Sequence, residues 1–308
     1  MADIVIGTRG SPLALWQANW VKDRLEKEHK GLVVELMTIQ TQGDKILDVP
    51  LAKVGGKGLF VKELENALLE GKAHLAVHSM KDVPTELPDG LEISVVCERE
   101  DARDAMISNS AGSFAELPEG ARVGTSSLRR QTQILNRRRD IKIVPLRGNV
   151  GTRIRKLTDD GLDAIILAAA GLKRMGQENL VTEYFSISDS LPAVAQGAMG
   201  IETRIDDIKT QSLTSFLNHP ETRVNVETER AFLARLEGGC QVPIAAYATL
   251  EKERVTLEGL VGAVDGSVVY RDKRKGHVCE NVSIGEKLAD ELLGRGAREV
   301  LQEAYGEK

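Results

Sequence analysis

Three groups of residues in this sequence have the types and spacing that chemistry needs. The first is Cys240, set in Glu237-Gly238-Gly239-Cys240-Gln241-Val242-Pro243, where small neighbours leave a sulfur open to approach. That setting suggests a thiol used for chemistry, although on spacing alone a buried cysteine acting as a small hydrophobe is the commoner fate. The second is Thr125-Ser126-Ser127-Leu128-Arg129-Arg130, which follows a strand pattern and opens a helix. Hydroxyls and free N–H groups at a helix start bind anions, and paired arginines hold carboxylates bidentately. Arg147-Gly148-Asn149 and Arg153 repeat this chemistry at the next strand-to-helix junction. One such junction reads as a helix cap with surface charge; two in succession point to a carboxylate-binding site. The third is Asp82, in Ala76-Val77-His78-Ser79-Met80-Lys81-Asp82-Val83-Pro84, just beyond a strand. It suits a catalytic carboxylate at a cleft mouth, or a helix cap, or a partner of Lys81. His78 beside it reads as a core histidine.

Other features narrow the choice. Lys57 in Gly55-Gly56-Lys57-Gly58 lacks the spacing of a phosphate loop, which makes a nucleotide site a poor reading. That loop is either a flexible hinge with a solvated lysine or a lid bringing Lys53 or Lys57 to an anion. Arg137-Arg138-Arg139, at the far end of its helix, is read as solvated and favourable to the helix dipole. Cys97, Cys240 and Cys279 are few, odd in number and widely spaced, so no disulfide framework is expected and a reducing compartment is. No clustering of His and Cys at metal-ligand spacing occurs, and no metal is expected.

The chain has 308 residues, 42% hydrophobic and 28% charged, which predicts two or three ordinary globular domains. Its first residues lack the basic segment and apolar run of a secretory signal, and no apolar stretch could span a bilayer; a cytoplasmic protein is expected. The net charge of −5 is unevenly spread. Between Arg129 and Arg174, nine arginines and three lysines stand against four aspartates, so the remainder of the chain is strongly acidic. A local basic surface within an acidic protein predicts an anionic ligand at a defined site. With only 4% aromatic residues, a nucleic-acid partner is not expected.

The elements that would position these residues alternate between strand and helix. Strands are predicted at 3–7, 32–39, 75–78 and 91–97, with a helix opened by Ser11-Pro12 and another whose Phe60, Leu64, Ala67 and Leu68 form an apolar stripe. Leu13, Trp16, Trp20 and Leu25 are expected on one face of the first helix. Glu98 to Asp104 is a charge-dense break and a candidate crossing. A second α/β unit follows, with strands at 122–125, 142–146 and 164–168 and helices at 127–138 and 150–157. A return crossing is placed near Leu191-Pro192-Ala193. Beyond His219-Pro220 the pattern becomes a helix at 221–236, strands at 245–251, 255–261 and 268–271 with an Asp265-Gly266 turn, and a last helix. The fold class expected is α/β: two lobes with a hinged cleft plus a smaller α+β domain carrying Cys240. The boundaries are 1–98 with 199–217, then 103–192, then 220–308.

Read together, these blocks resemble the porphobilinogen deaminase family, also called hydroxymethylbilane synthase. The matching segments are Gly7 to Ala14, Gly55 to Leu69, Ala76 to Pro84, Val123 to Arg130, Arg147 to Arg153, Ala168 to Arg174, Pro192 to Glu202 and Glu227 to Pro243. The last sixty residues match mainly in pattern. The resemblance implies periplasmic-binding-protein-like lobes and a monomeric transferase of tetrapyrrole biosynthesis. Such an enzyme joins four porphobilinogen molecules head to tail, releasing ammonia each time, and frees linear hydroxymethylbilane by hydrolysis. It implies a dipyrromethane cofactor held by a thioether to Cys240, and Asp82 as the catalytic carboxylate. It assigns Arg9, Arg129, Arg130, Arg147, Arg153 and Arg174 to cofactor and substrate carboxylates, helped by Ser11, Ser79, Lys81, Thr125, Ser126, Ser127, Gly148 and Gln196. Lys53, Lys57 and Phe60 complete the binding set; Phe60 would cover an incoming ring or belong to the core with equal weight.

The chemistry fits the residue types. Each pyrrole brings an acetate and a propionate, so elongation gathers like charges that only cations can offset. Loss of the amine leaves an electron-poor pyrrole, an azafulvene, which a carboxylate near its N–H stabilises and a thiolate attacks. Two other readings remain: a binding module that captures a small carboxylate, with no need for Cys240 or Asp82, and a nucleic-acid-binding protein resting on Arg129 to Arg139.

Overall fold

The computed structural model describes residues 2–45, 61–237 and 242–305. In chain order these form β1 (Ile4–Arg9), α1 (Pro12–Glu28), β2 (Val34–Ile39), α2 (Gln42–Lys45), α3 (Lys62–Leu69), β3 (Leu75–Ser79) and β4 (Leu91–Val96). Then come β5 (Asp104–Ser108), β6 (Arg122–Gly124), α4 (Leu128–Arg137), β7 (Lys142–Val144), α5 (Val150–Asp159), β8 (Ala164–Ala168), α6 (Ala169–Arg174) and β9 (Glu183–Tyr184). The rest is β10 (Met199–Arg204), α7 (Ile208–Thr214), α8 (Pro220–Arg235), β11 (Ile244–Glu251), β12 (Arg254–Gly262), β13 (Val269–His277), α9 (Asn281–Leu292) and α10 (Arg298–Tyr305). The chain divides into two compact units, one of residues 1–100 with 198–223 and one of 101–197 with 224–308.

The first unit is built on a five-stranded sheet of order β2-β1-β3-β10-β4. β1, β2 and β3 run parallel, while β10 is antiparallel to both β3 and β4. Ser11 caps α1 by accepting a hydrogen bond from the Ala14 N–H at 3.3 Å, with Pro12 in the first turn. The buried face of α1 is Gln17, Ala18, Val21 and Leu25, with Trp20 packed against the same core; of the expected stripe, Trp16 falls outside this face and is 37% exposed. On this face the buried Gln17 amide donates to Ser79 Oγ at 2.9 Å, which gives a polar side chain a partner inside the core. On the other face of the sheet, Leu64, Ala67 and Leu68 of α3 pack against Ala73, Ala76 and Leu91. Phe60 lies outside the described residues.

The second unit contains a sheet of order β7-β6-β8-β5-β9, with β6, β7 and β8 parallel and β5 antiparallel to β8 and β9. In each five-stranded sheet, the strand that follows a crossing is the one that enters antiparallel: β5 after residue 101 and β10 after residue 197. Ala164 and Ile166 of β8 face one core and Ile165 and Leu167 the other, so this strand is buried on both sides. β5 begins at Asp104, inside the run expected to be only a charge-dense break; its charge is neutralised internally, as described below.

The same unit holds a three-stranded antiparallel sheet, β11-β12-β13. β13 runs to His277, beyond the expected end near Arg271, because as an edge strand it carries charge that pairs across the ladder. Arg271 Nε donates to Glu258 Oε1 at 2.7 Å. The hairpin turn at Asp265-Gly266 forms, and Asn136 Nδ2 of α4 donates to Gly266 O at 3.0 Å. α9 meets α8 at Gly285, where an added Cβ would lie 2.5 Å from Thr228 O and 2.7 Å from Phe232 N. Backbone of a neighbouring helix cannot yield, so Gly285→Ala should destabilise the protein by about 1–3 kcal/mol. A lowered thermal midpoint checks this; an unchanged one contradicts the packing described.

Candidate functional site

The parallel strands of each five-stranded sheet bring their carboxyl ends to one edge, and the following turns and helix starts stand there. In the second unit, this edge carries the residues singled out after β6, β7 and β8. Thr125 N donates to Val144 O at 2.9 Å and Ser127 N to Thr125 Oγ1 at 3.2 Å. Ser126 ties two junctions together: its hydroxyl donates to Leu146 O at 3.0 Å and accepts from Leu146 N at 2.9 Å. Ser127 precedes α4 without a side-chain capping bond. Gly148 has φ +116°, and a Cβ there would meet Thr152 Cγ2 at 2.6 Å, so only glycine fits. Asn149 caps α5 by accepting from Thr152 N at 2.9 Å. Arg153 Nε donates to Gly148 O at 2.7 Å, while Arg174 donates to Gly197 O at 2.7 Å. Arg147 and Arg153 are half-buried and Arg174 is buried.

Arg129 and Arg130 lie deeper than a surface binding pair. Both are buried, and both are held by Asp104, which has no exposure at all. Asp104 Oδ2 accepts from Arg129 Nη1 at 2.7 Å and Ser190 Oγ at 2.9 Å. Its Oδ1 accepts from Arg129 Nη2 at 3.1 Å, from Arg130 Nε at 3.0 Å and Nη2 at 2.7 Å, and from Gln196 Nε2 at 3.0 Å. Arg129 Nη1 also donates to Leu191 O at 2.6 Å and Arg130 Nη1 to Ile166 O at 3.0 Å. Arg129 Nε is buried without a hydrogen-bond partner among the described residues. Burial raises the pKa of Asp104, but the two guanidiniums outweigh it and hold this carboxyl far below the usual carboxylate range. Two cations against one anion leave the cluster with a net positive charge.

Glu229 is a second buried carboxylate that the sequence reading passed over. Its Oε2 accepts from Ala195 N at 2.6 Å and its Oε1 from Ala248 N at 2.8 Å. Ala195 has φ +59°, uncommon for a residue with a side chain, and Glu229 holds that turn beside Gln196. Neither Asp104 nor Glu229 carries a local signal. Each sits among other charged residues, Asp104 at the end of the run from Glu98 and Glu229 beside Glu227 and Arg230, and the partners of each are distant in sequence.

In the first unit, Arg9 ends β1 and Ser11 follows it, while Ser79 ends β3 and Lys81 and Asp82 follow. The β3 exit is a short 3₁₀ turn, Met80–Asp82, fixed by Met80 N donating to Ala198 O at 3.0 Å and by the Gln17–Ser79 bond. Asp82 is exposed, and among the described residues nothing pairs with its carboxylate. Lys53, Lys57, Phe60 and Cys240 lie outside the described residues; in sequence, Cys240 stands between α8 and β11.

Comparison with known proteins decides the family. The model for the porphobilinogen deaminase dipyrromethane cofactor binding domain matches residues 4–212, and that for the porphobilinogen deaminase C-terminal domain matches 224–294. This chain belongs to the porphobilinogen deaminase family. It is 58% identical to the porphobilinogen deaminase of Geobacter metallireducens over 97% of this chain and 94% of that protein. To that of Geobacter sulfurreducens it is 57% identical, with the same coverage. Among solved structures it is similar to a nutrient binding protein from Burkholderia cenocepacia bound to methionine (TM-score 0.44, 14% identity, 71% of this chain and 93% of that one). A further likeness is to the aliphatic sulphonate binding protein SsuA of Escherichia coli (TM-score 0.41, 13% identity, 76% and 70%). The family is a transferase of tetrapyrrole biosynthesis built around a dipyrromethane cofactor. The residues present fit such a polycarboxylate: the net positive Asp104 cluster, the orphaned Arg129 Nε and Arg147, Arg153 and Arg174 belong to one unit.

The Asp104 cluster sets a stability prediction. Asp104→Asn leaves two buried guanidiniums without a counter-charge and should cost about 3–5 kcal/mol. Because the folded pKa is depressed, the wild-type stabilisation is complete above the unfolded value near ~4 and is lost as pH falls below it. Urea unfolding from pH 6 to 2 should show a shallower acid slope in Asp104→Asn than in wild type. Parallel slopes contradict the assignment.

Proposed function

We propose that this chain joins four porphobilinogen molecules head to tail with release of ammonia, acts as a hydroxymethylbilane synthase, and frees the linear product by hydrolysis. The observation that carries the reading is Asp82, a carboxylate at the carboxyl end of β3 that is exposed and has no partner among the described residues, in a chain of this family. The dipyrromethane group, when bound, supplies the pyrrole carbon onto which the first substrate unit is joined. Cys240 would hold that group through a thioether, since a thiolate is a strong nucleophile towards an electron-poor pyrrole.

Asp82 would accept a hydrogen bond from the substrate pyrrole N–H and stabilise the positive charge that develops as the amine leaves. It would also hold the proton that must leave the ring carbon after the new bond forms. Arg9, Lys81, Arg147, Arg153 and Arg174 would bind acetate and propionate groups, each charged hydrogen bond contributing roughly 1.5–3 kcal/mol. Ser11, Ser79, Thr125, Ser126, Ser127 and Gly148 would add neutral donors. We assign Arg129, Arg130 and Gln196 a different part: bound to Asp104, they act through the net positive charge of their cluster and through Arg129 Nε. Lys53, Lys57 and Phe60 are proposed as further substrate contacts. The three-stranded sheet with α8 to α10 is proposed as a third domain, and the protein as a cytoplasmic monomer. No described helix is long and apolar enough to cross a membrane.

Purified protein should consume porphobilinogen and release four ammonia molecules per bilane. Asp82→Asn keeps the shape and removes the charge; kcat should fall by about 10² or more with the thermal midpoint unchanged. Binding of porphobilinogen without turnover by the wild type would support a binding module instead.

A further inference from the structure

β3 carries Asp82 at its end, and one residue of that strand is engaged in a buried polar pair outside the functions described above. His78 and Glu202 are both buried, and the imidazole Nε2 donates to Glu202 Oε2 at 2.8 Å. His78 lies opposite Gly200 and Glu202 opposite Ala76 in the antiparallel β3–β10 ladder, so the pair bridges the two strands diagonally. The layer above is α3, whose Glu65 is also buried. Burial, and after it the neighbouring Glu202, raise the pKa of Glu65, while His78 acts in the opposite direction. Among the described residues, other charged groups near this layer are Glu63 and Lys62 on α3 and Arg204 on β10; the last donates to Leu68 O at 2.6 Å at the end of that helix. The second oxygen of Glu202 is buried without a partner among the described residues.

A polar pair buried in a helix-on-sheet layer often gives no more stability than apolar side chains of the same shape, so its presence calls for a reason other than stability. Position supplies one. Three residues separate His78 from Asp82, and the anchors of the intervening turn include Met80 N to Ala198 O, Val83 N to Met80 O at 3.3 Å, and the Gln17–Ser79 bond. Asp82 has no side-chain partner among the described residues, so its carboxylate stands where the end of β3 puts it. Apolar packing is tolerant of small slips; a directional hydrogen bond between strands is not.

We propose that His78 and Glu202 are positioning residues for this enzyme, a hydrogen-bonded cross-strand clamp that fixes the end of β3 and thereby the place of the Asp82 carboxylate. The inference rests on the catalytic reading of Asp82. It concerns placement of a group during reaction, not affinity for substrate. Misplacement of a reacting group by about 1 Å can lower a rate by about 10².

The deciding variant is the double substitution His78→Leu/Glu202→Leu, made in the full chain with its cofactor loaded. It removes both polar partners together and orphans neither, so it should fold with a thermal midpoint near that of wild type. The proposal predicts a kcat lowered about tenfold or more with KM within about twofold. His78→Gln, whose amide can donate to the same Glu202 oxygen, should recover most of kcat. A folded double variant with wild-type kcat overturns the proposal, as does a His78→Leu single variant as active as His78→Gln. Should Asp82→Asn retain full activity, the catalytic reading of Asp82 fails instead, and the two failures are told apart.

Discussion

A single carboxylate, Asp104, organises the second unit. It receives six hydrogen bonds, four of them from Arg129 and Arg130, with no exposure to water. Two guanidiniums in the interior need a counter-charge, because isolated buried ions are too costly to keep. Asp104 supplies half of what they need, and the remaining positive charge persists inside the protein. β5 begins on this residue, α4 opens on these arginines, and the 190–197 segment is fastened by Ser190, Leu191 and Gln196. The ordering of strand, helix and return segment is therefore one electrostatic arrangement. Its surplus charge has the sign that a polycarboxylate requires.

Asp82 is the opposite case, and the contrast gives the division of labour. Asp104 is saturated with donors, while nothing among the described residues pairs with Asp82. A saturated carboxylate is locked as a structural anion. An unpartnered one at a strand end is available to a pyrrole N–H and to a proton in transit. The same sheet geometry serves both, since parallel strands deliver loops and helix starts to one edge. Neutral donors and arginines gather there without any single element having to carry them all.

Much of this was legible in the sequence. Ser11-Pro12 marked α1, Asp265-Gly266 marked its turn, and the two Ser/Arg and Arg/Gly/Asn junctions marked the edge where α4 and α5 begin. Local chemistry sets these features, so local sequence reveals them. The misreadings have long-range causes. Asp104 looked like part of a charged break because its arginines are 25 and 26 residues away. Trp16 was placed on the apolar face of α1, whereas the buried position beside it belongs to Gln17, whose amide finds its partner in Ser79, 62 residues on. β13 escaped hydrophobic alternation because its edge is held by charge pairs with β12. His78 was readable as a core histidine, but its partner Glu202 lies across a strand ladder, 124 residues further on.

The central claim is that an anionic oligopyrrole grows while tethered to the chain at Cys240. Intact-mass analysis with peptide mapping during turnover tests it most directly. The account predicts a resting mass increment on the peptide containing Cys240 and, with porphobilinogen present, a ladder of further increments on that same peptide. Product formation at full rate by protein whose Cys240 peptide stays unmodified would contradict it.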